Sequence, residues 1–286
     1  MKQARVGIIG GSGLYEMDSF KVVGEESVQT PFGPPSDALI FGELDGKAVV
    51  FLPRHGRGHK FSPSEINYRA NIFAMKAAGV ERIFSVSATG SLKESIAPGE
   101  FVVVDQFIDR TRSRPYTFFE KGIVAHVGFA DPVCPHLFKA LCQSTDENKI
   151  KNHKGGTYVC IEGPMFSSRA ESNVYRSWGA DVIGMTNYQE AKLAREAEIC
   201  YATLALVTDY DCWHQTEEDV DVQIVIRTMQ QNVASAKQVL RSAIQKVAEK
   251  RTCVCEHALQ SAIMTDGKKI TEEAKKRLAP IVGRYI

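Results

Sequence analysis

The 286-residue sequence contains no apolar run of 18 residues, so no transmembrane helix is expected. It also has almost no net charge: 35 Lys and Arg stand against 34 Asp and Glu, leaving +1. That balance argues against a general nucleic-acid or anionic-membrane binder. CxxC pairs are missing. The seven cysteines, at 134, 142, 160, 200, 212, 253 and 255, are odd in number and scattered along the chain. Such a set is not a zinc framework, and no metal is expected. Cys253-Val254-Cys255 is the unusual pair and reads as two free thiols near a helix end, reduced in the cytosol. Internal repeats, low-complexity tracts and linker-like shifts in composition are lacking as well. The first apolar run, Val6-Gly7-Ile8-Ile9, is too short for a secretory signal and has no cleavage site after it. A soluble, cytoplasmic protein is the expectation.

What is present is ample material for a core, since 44% of the residues are hydrophobic. Short apolar runs alternate with helix-period segments throughout. The pattern predicts one α/β domain over 1–286 with a mainly parallel central sheet and a helical tail from about 250. Strands are expected over 6–9, 37–44, 47–53, 82–88, 101–109, 157–161, 181–186 and 201–206. Asp45-Gly46 reads as a hairpin turn. Helices are expected over 63–79, from 169, over 189–198, over 219–250 and over 271–278. Pro63 suits the first turn of its helix and Gly79 the position after its end. Ser168 and Glu171 have the spacing of a capping box.

The chemistry-bearing residues fall just after the strands, where open α/β sheets bind ligands. Val207-Thr208-Asp209-Tyr210-Asp211-Cys212-Trp213 is the most distinctive stretch. If Asp209 and Asp211 continue the strand they point the same way, and two like charges in one pocket favour a retained proton. A solvated pair capping the next helix fits the spacing as well. Gly10-Gly11-Ser12-Gly13 offers backbone amides and a hydroxyl to an anion but lacks the third glycine of a dinucleotide fingerprint. A tight turn is its plainer reading. Arg54-His55-Gly56-Arg57-Gly58-His59-Lys60 packs five basic-type side chains after a strand and favours a phosphate-sized anion. Thr89-Gly90-Ser91 is a further hydroxyl-rich turn. Phe166 could stack on a flat ring or belong to the core. The run 109–114 reads first as loop or interface surface, and His126 as structural.

Several segments together carry a more specific signal: GIIGGSGL, TPFGPPSD, PRHGRGH, INYRANIFAMK, GSL, DQFIDRT, IEGPMFSSRAES, WGADVIGMT and TDYDCW. In this order, over residues 5 to 240, they resemble the S-methyl-5'-thioadenosine phosphorylase family, a branch of the purine nucleoside phosphorylases. The resemblance implies a mixed sheet partly curled into a barrel and flanked by helices. It implies a homotrimer, or a dimer of trimers, using phosphate as co-substrate and no metal or organic cofactor. It implies cleavage of methylthioadenosine to adenine and 5-methylthioribose 1-phosphate; a 6-oxopurine nucleoside phosphorylase is the alternative on the same scaffold. By motif position, Ser12, Arg54, His55, Ser87, Ala88 and Thr186 fall on the phosphate ligands, Ala88 through its backbone. Met185 would lie against the ribose and Phe166 against the base. Asp209, Tyr210 and Asp211 would face the purine. Val222, Val225 and Ile226 would line the methylthio pocket. Ser167 and Val222 would tune specificity, and His126 would reach in from a neighbouring subunit. Some heat-stable members also carry a C-terminal Cys-x-Cys and structural disulfides.

An acid is needed because adenine leaves poorly as an anion. Protonation at purine nitrogen 7 removes that obstacle, and Asp209 is the expected donor. The carboxylate pair also favours a 6-aminopurine, whose exocyclic amine donates where a 6-oxopurine would present a second acceptor.

Overall fold

A single ten-residue strand, β5 (Arg82–Ser91), is the member to which the rest of the sheet attaches. In the computed structural model, which describes residues 2–11, 14, 20–214 and 222–286 (backbone only at 224), the elements on either side of it build one 11-stranded mixed sheet. On one flank β5 runs parallel to β11 (Cys200–Asp209) along almost its whole length. On the other, residues 82–85 pair in parallel with β1 (Val6–Gly10), while Gly90 and Ser91 pair antiparallel with β10 (Val182–Gly184). Residues 86–89 have no ladder partner on that second flank among the described residues. The sheet forks there. Past β1 it continues through β4 (Lys47–Pro53), β3 (Leu39–Leu44) and β2 (Phe20–Glu26). Past β10 it continues through β9 (Thr157–Cys160) and β7 (Gln106–Asp109). A side branch joins β11 to β6 (Phe101–Val103) and β8 (Asn152–Lys154).

Alternation of side chains along the strands sorts the core into two layers. Ile9, Val50, Leu52 and Ile83 pack on one face with α1 (Tyr68–Ala77), α4 (Asn187–Glu196) and α6 (Glu272–Val282). Ile8, Val49, Phe51, Phe84 and Val86 pack on the other with α2 (Pro135–Glu147) and α5 (Val222–Gln245). Each such side chain, fully buried, contributes about 1.5–3 kcal/mol. The residues after 250 are part of this core: α6 buries Ala274, Leu278, Ile281 and Val282 in the first layer. Among the described residues no helix is long and apolar enough to cross a membrane.

Local signals decide most boundaries. Asp45 and Gly46 both take positive φ, as the hairpin turn requires. Ser168 and Glu171 form the capping box of α3 (Arg169–Ser177). Several boundary expectations need correction, among them the helix expected to run to about Lys250, which ends at Gln245. The helix predicted from Pro63 begins at Tyr68, because the Asn67 side chain accepts from the N–H of Ala70 and caps it there. The strand predicted from Asp37 begins at Leu39, because the Asp37 carboxylate accepts from the N–H groups of Ala38 and Arg57. The run 101–109 is two strands: Asp105 turns to accept from the N–H of Gly156, and β6 and β7 join different branches.

Candidate active site

The fork in β5 supplies a crevice outside the carboxyl ends of β1, β5 and β11, at a point where strand order switches. Its floor is residues 86–89. From Val86 to Gly90 the strand spans about 13 Å, four residues at about 3.3 Å each. Arg54 anchors one end and Asp209 the other.

Arg54 follows β4 and is held by an N–H bond to the Gly10 carbonyl at 2.9 Å. Its guanidinium is 3% exposed. Nε donates to Glu190 Oε1 at 2.5 Å, Nη1 to the Val86 carbonyl at 2.9 Å, and Nη2 to Ser85 Oγ at 2.6 Å and Glu190 Oε2 at 3.2 Å. Desolvation opposes its charge, and the Glu190 carboxylate outweighs that, so its pKa is raised. Glu190 also accepts from Ser85 and Tyr201. Four of the five guanidinium hydrogens are therefore used among the described residues, and the fifth is on Nη1. Arg57, in contrast, is spent on the surface in pairs with Glu25 and Asp37. The basic stretch read from sequence is thus not one cationic patch.

His55 contacts the Phe61 carbonyl through Nδ1 at 2.8 Å and stacks on His59 with ring centroids 4.1 Å apart. Burial first, and then the neighbouring Arg54 charge, push its pKa down to about 4. A carbonyl only accepts, so the proton sits on Nδ1 and Nε2 presents a lone pair. That suits an anion that still carries a hydrogen. Ser87 and Ala88 lie on the unpaired edge of β5. The Tyr158 hydroxyl ties Ser87 to the Thr186 N–H, the latter at 3.4 Å. Thr186 is the N-cap position of α4, where backbone donors collect. Ser12 lies outside the described residues.

At the other end, β11 runs to Asp209. Asp211 has φ 53° and has left the strand, so the two acids do not share a strand face as expected. They are joined instead by a turn in which the Asp211 N–H donates to Asp209 Oδ1 at 2.8 Å. Thr208 Oγ1 donates to Asp209 Oδ2 at 2.7 Å. Both acids are buried, at 8% and 4% exposure. Desolvation raises both pKa values and hydrogen-bond donors partly oppose it at each; Asp211, also lifted by the Asp209 charge, is pushed up to about 6. Gly90 makes the close approach possible: a Cβ at that position would lie 2.8 Å from Asp209 Oδ1. Tyr210 stacks on His214 with centroids 4.5 Å apart.

The wall of the acid end comes from residues 162–168. Cys212 Sγ contacts the Ser167 carbonyl at 3.1 Å, bringing Phe166 and Ser167 beside the Asp211 turn. The Ser167 hydroxyl is buried and has no hydrogen-bond partner among the described residues, while Phe166 is 41% exposed. Met185 closes on the same segment, its sulfur packed against Gly163. Arg114 organises these pieces by donating to the Met185 carbonyl at 2.5 Å, to Gln189 Oε1 at 3.0 Å and to the Glu162 carbonyl at 2.5 Å. Sequence reading treated 109–114 as surface and missed both Arg114 and Glu190. Glu190, in the first turn of α4 directly after Thr186, offered the only local signal. Val222 and Ile226 begin α5 on the surface, 60% and 50% exposed, with Val225 half-buried between them. His126 is exposed, its N–H on the Ala262 carbonyl at 2.8 Å. No described contact joins it to the crevice of its own chain.

Residues 5–245 match the model of the phosphorylase superfamily. The chain belongs to that superfamily. It is 56% identical to the S-methyl-5'-thioadenosine phosphorylase of Geobacter sulfurreducens, over 98% of this chain and 99% of the relative. It is 55% identical to the protein of the same name from Koribacter versatilis, over 99% and 97%. Among solved structures, a methylthioadenosine phosphorylase from an Antarctic soil metagenomic library superposes with a TM-score of 0.94 at 48% identity, covering 98% of this chain and 99% of the other. The Schistosoma mansoni methylthioadenosine phosphorylase in complex with adenine superposes at 0.83 with 36% identity, covering 98% of each.

Proposed function

We propose that this chain catalyses the phosphorolysis of S-methyl-5'-thioadenosine to adenine and 5-methylthioribose 1-phosphate. The observation that carries the reading is the forked β5 crevice, with hydroxyls, amides and Arg54 at one end and a buried acid pair at the other, in a chain 56% identical to an enzyme of that name.

In this reading phosphate lies over residues 86–89. Neutral donors dominate its binding, because Glu190 already compensates the Arg54 charge. The phosphate attacks the anomeric carbon as the bond to the base breaks. Positive charge that develops on the sugar is stabilised by the adjacent anion. The acid turn protonates nitrogen 7 of the departing purine, and Asp209 is the donor. A carboxyl needs a raised pKa for this task, and burial supplies the direction. A carboxylate facing position 6 accepts from the amine of adenine and disfavours a 6-oxopurine. Met185 lies against the ribose and Phe166 on the base, Val222, Val225 and Ile226 line the methylthio end, and Ser167 and Val222 tune specificity. The reaction takes phosphate as co-substrate and no metal or organic cofactor. The working form is a cytoplasmic homotrimer in which His126 completes a neighbour's site.

Release of purine from methylthioadenosine, adenosine, inosine and guanosine, each with and without phosphate, tests the proposal. The expected result is phosphate-dependent adenine release, fastest from methylthioadenosine. Faster inosine cleavage would replace it with a 6-oxopurine phosphorylase, and phosphate-independent release with a hydrolase.

A further inference from the structure

The cysteines that are scattered in sequence are not scattered in space. Cys134, Cys200, Cys253 and Cys255 meet at the amino ends of β5 and β11, all buried, with their sulfurs within 4.8 Å of one another. Cys200 Sγ and Cys253 Sγ are 3.3 Å apart. The crevice described above lies at the opposite end of β11, about 30 Å away for a strand of this length.

We propose that these four cysteines form a tetrahedral thiolate site for a divalent cation of the zinc type, a structural site separate from the crevice and independent of the proposed reaction. A Zn–S bond of about 2.3 Å sets sulfur–sulfur distances near about 3.8 Å in a tetrahedron. The sulfur separations, from 3.3 Å to at most 4.8 Å, bracket that value, so binding needs them to change by up to about 1 Å. Four thiolates and no fifth ligand are the donor set of a closed structural site.

The backbone around the sulfurs is fixed before any ion arrives. Cys200 is the first residue of β11, its N–H on the Glu81 carbonyl at 2.9 Å. Cys134 is the N-cap residue of α2, its N–H on the Tyr201 carbonyl at 2.8 Å. Cys253 is the N-cap of a short 3-10 turn, Val254–His257, that carries Cys255. The surroundings complement the charge of the product. A cavity of about 350 Å³ beside the cluster is lined by Arg82, His136, Lys139, Lys246, Lys250 and Arg251. A divalent ion with four thiolates carries a net charge of minus two; Arg82, Lys246 and Arg251 of this rim are already paired with Glu81, Glu147 and Glu256, so it is Lys139 and Lys250 that can offset part of it. In binding, four metal–sulfur bonds form and the four thiol protons leave to solvent, with no oxidation.

The test uses the full-length protein, purified under reductant and incubated with Zn²⁺ alone before exhaustive dialysis. One zinc per chain is expected. Replacement by Co²⁺ should give thiolate-to-metal charge-transfer bands and the intense visible bands of tetrahedral cobalt. Cys253→Ser and Cys255→Ser should each weaken retention at least tenfold, whereas Cys142→Ser, on the same helix as Cys134 but outside the cluster, should retain the metal fully. Metal well below one per chain in the native reduced protein overturns the proposal, as does an octahedral cobalt spectrum. A mass lower by four hydrogens in protein prepared without oxidant also overturns it, since it would mean two disulfides instead. If the serine variants fail to fold, the native stoichiometry and cobalt spectrum still decide.

Discussion

Replacing Asp209 by asparagine separates acid catalysis from architecture, because the surrounding hydrogen bonds survive the change. The Asp211 N–H, now 2.8 Å from Oδ1, keeps a carbonyl acceptor. Thr208 Oγ1 donates to Oδ2 at 2.7 Å but also has the Thr89 carbonyl at 3.2 Å. It can turn its hydrogen to that carbonyl and accept from the new amide. A buried carboxyl of raised pKa is removed without opening a cavity, so the change in stability should stay under about 1 kcal/mol. Catalysis should respond quite differently. A positioned general acid contributes about 10²–10⁴-fold, or roughly 3–5 kcal/mol of activation free energy. Asp209→Asn should therefore lower kcat on methylthioadenosine by about that factor while the thermal midpoint barely moves. The amide can donate to a 6-carbonyl, so activity on inosine should rise relative to methylthioadenosine. Steady-state kinetics on both nucleosides, with a melting curve on the same preparation, reads all three quantities. A kcat within about threefold of the native value, at unchanged stability, would remove Asp209 from the chemistry.

The Asp211 carboxyl has a folded pKa of about 6 against an ordinary value of 3.8, so the fold prefers it protonated. The stability it contributes is greatest below pH 3.8 and is lost as pH rises through 6; Asp211→Asn should raise the unfolding free energy measured in urea at pH 8, by at most about 3 kcal/mol, and match the native protein near pH 4. An equal difference at both pH values would contradict this. Arg54→Met should cost about 3–5 kcal/mol by leaving Glu190 buried without its cation, and adding Glu190→Gln should recover part of it; a loss under about 1 kcal/mol in urea unfolding would show that the pair is not a structural element. Ile226→Asp, at a half-exposed position, should leave the melting point unchanged and lower kcat/KM for methylthioadenosine by about tenfold or more beyond any loss on adenosine, whereas equal losses on both would take α5 out of the methylthio pocket.

Features that rest on neighbouring residues were readable from the sequence. The Asp45-Gly46 hairpin, the Ser168–Glu171 box and the glycine after α1 at position 79 all follow from chemistry within four residues. Buried strands such as β4 and β11 stood out as apolar runs, and Arg54 and the Asp209–Asp211 turn stand at their ends. What depends on distant residues was hidden. Arg54 meets Glu190 across 136 positions, and the four clustered cysteines come from three separate segments. Both the break in 101–109 and the start of α1 are set by side-chain caps that compete with periodicity. The apolar spacing of α5 was compatible with ordinary core, yet its first turns are exposed and only its later ones, around Ala236, Leu240 and Ile244, are packed. Periodicity reports that a face exists, not what covers it.

The forked strand also bears on how such a crevice can change. Arg54 and the acid turn both hang from β5, one through the Val86 carbonyl and the other across Gly90, so their spacing is a length of hydrogen-bonded backbone. Altering it would mean breaking ladders on both flanks of the longest parallel pairing in the sheet. In the proposed reading the walls that face the sugar and base come from segments outside that ladder: residues 162–168, Met185 and the first turns of α5. Substitutions there can redraw which nucleoside fits while the distance between anion and acid stays fixed, so selectivity and reaction geometry can drift independently.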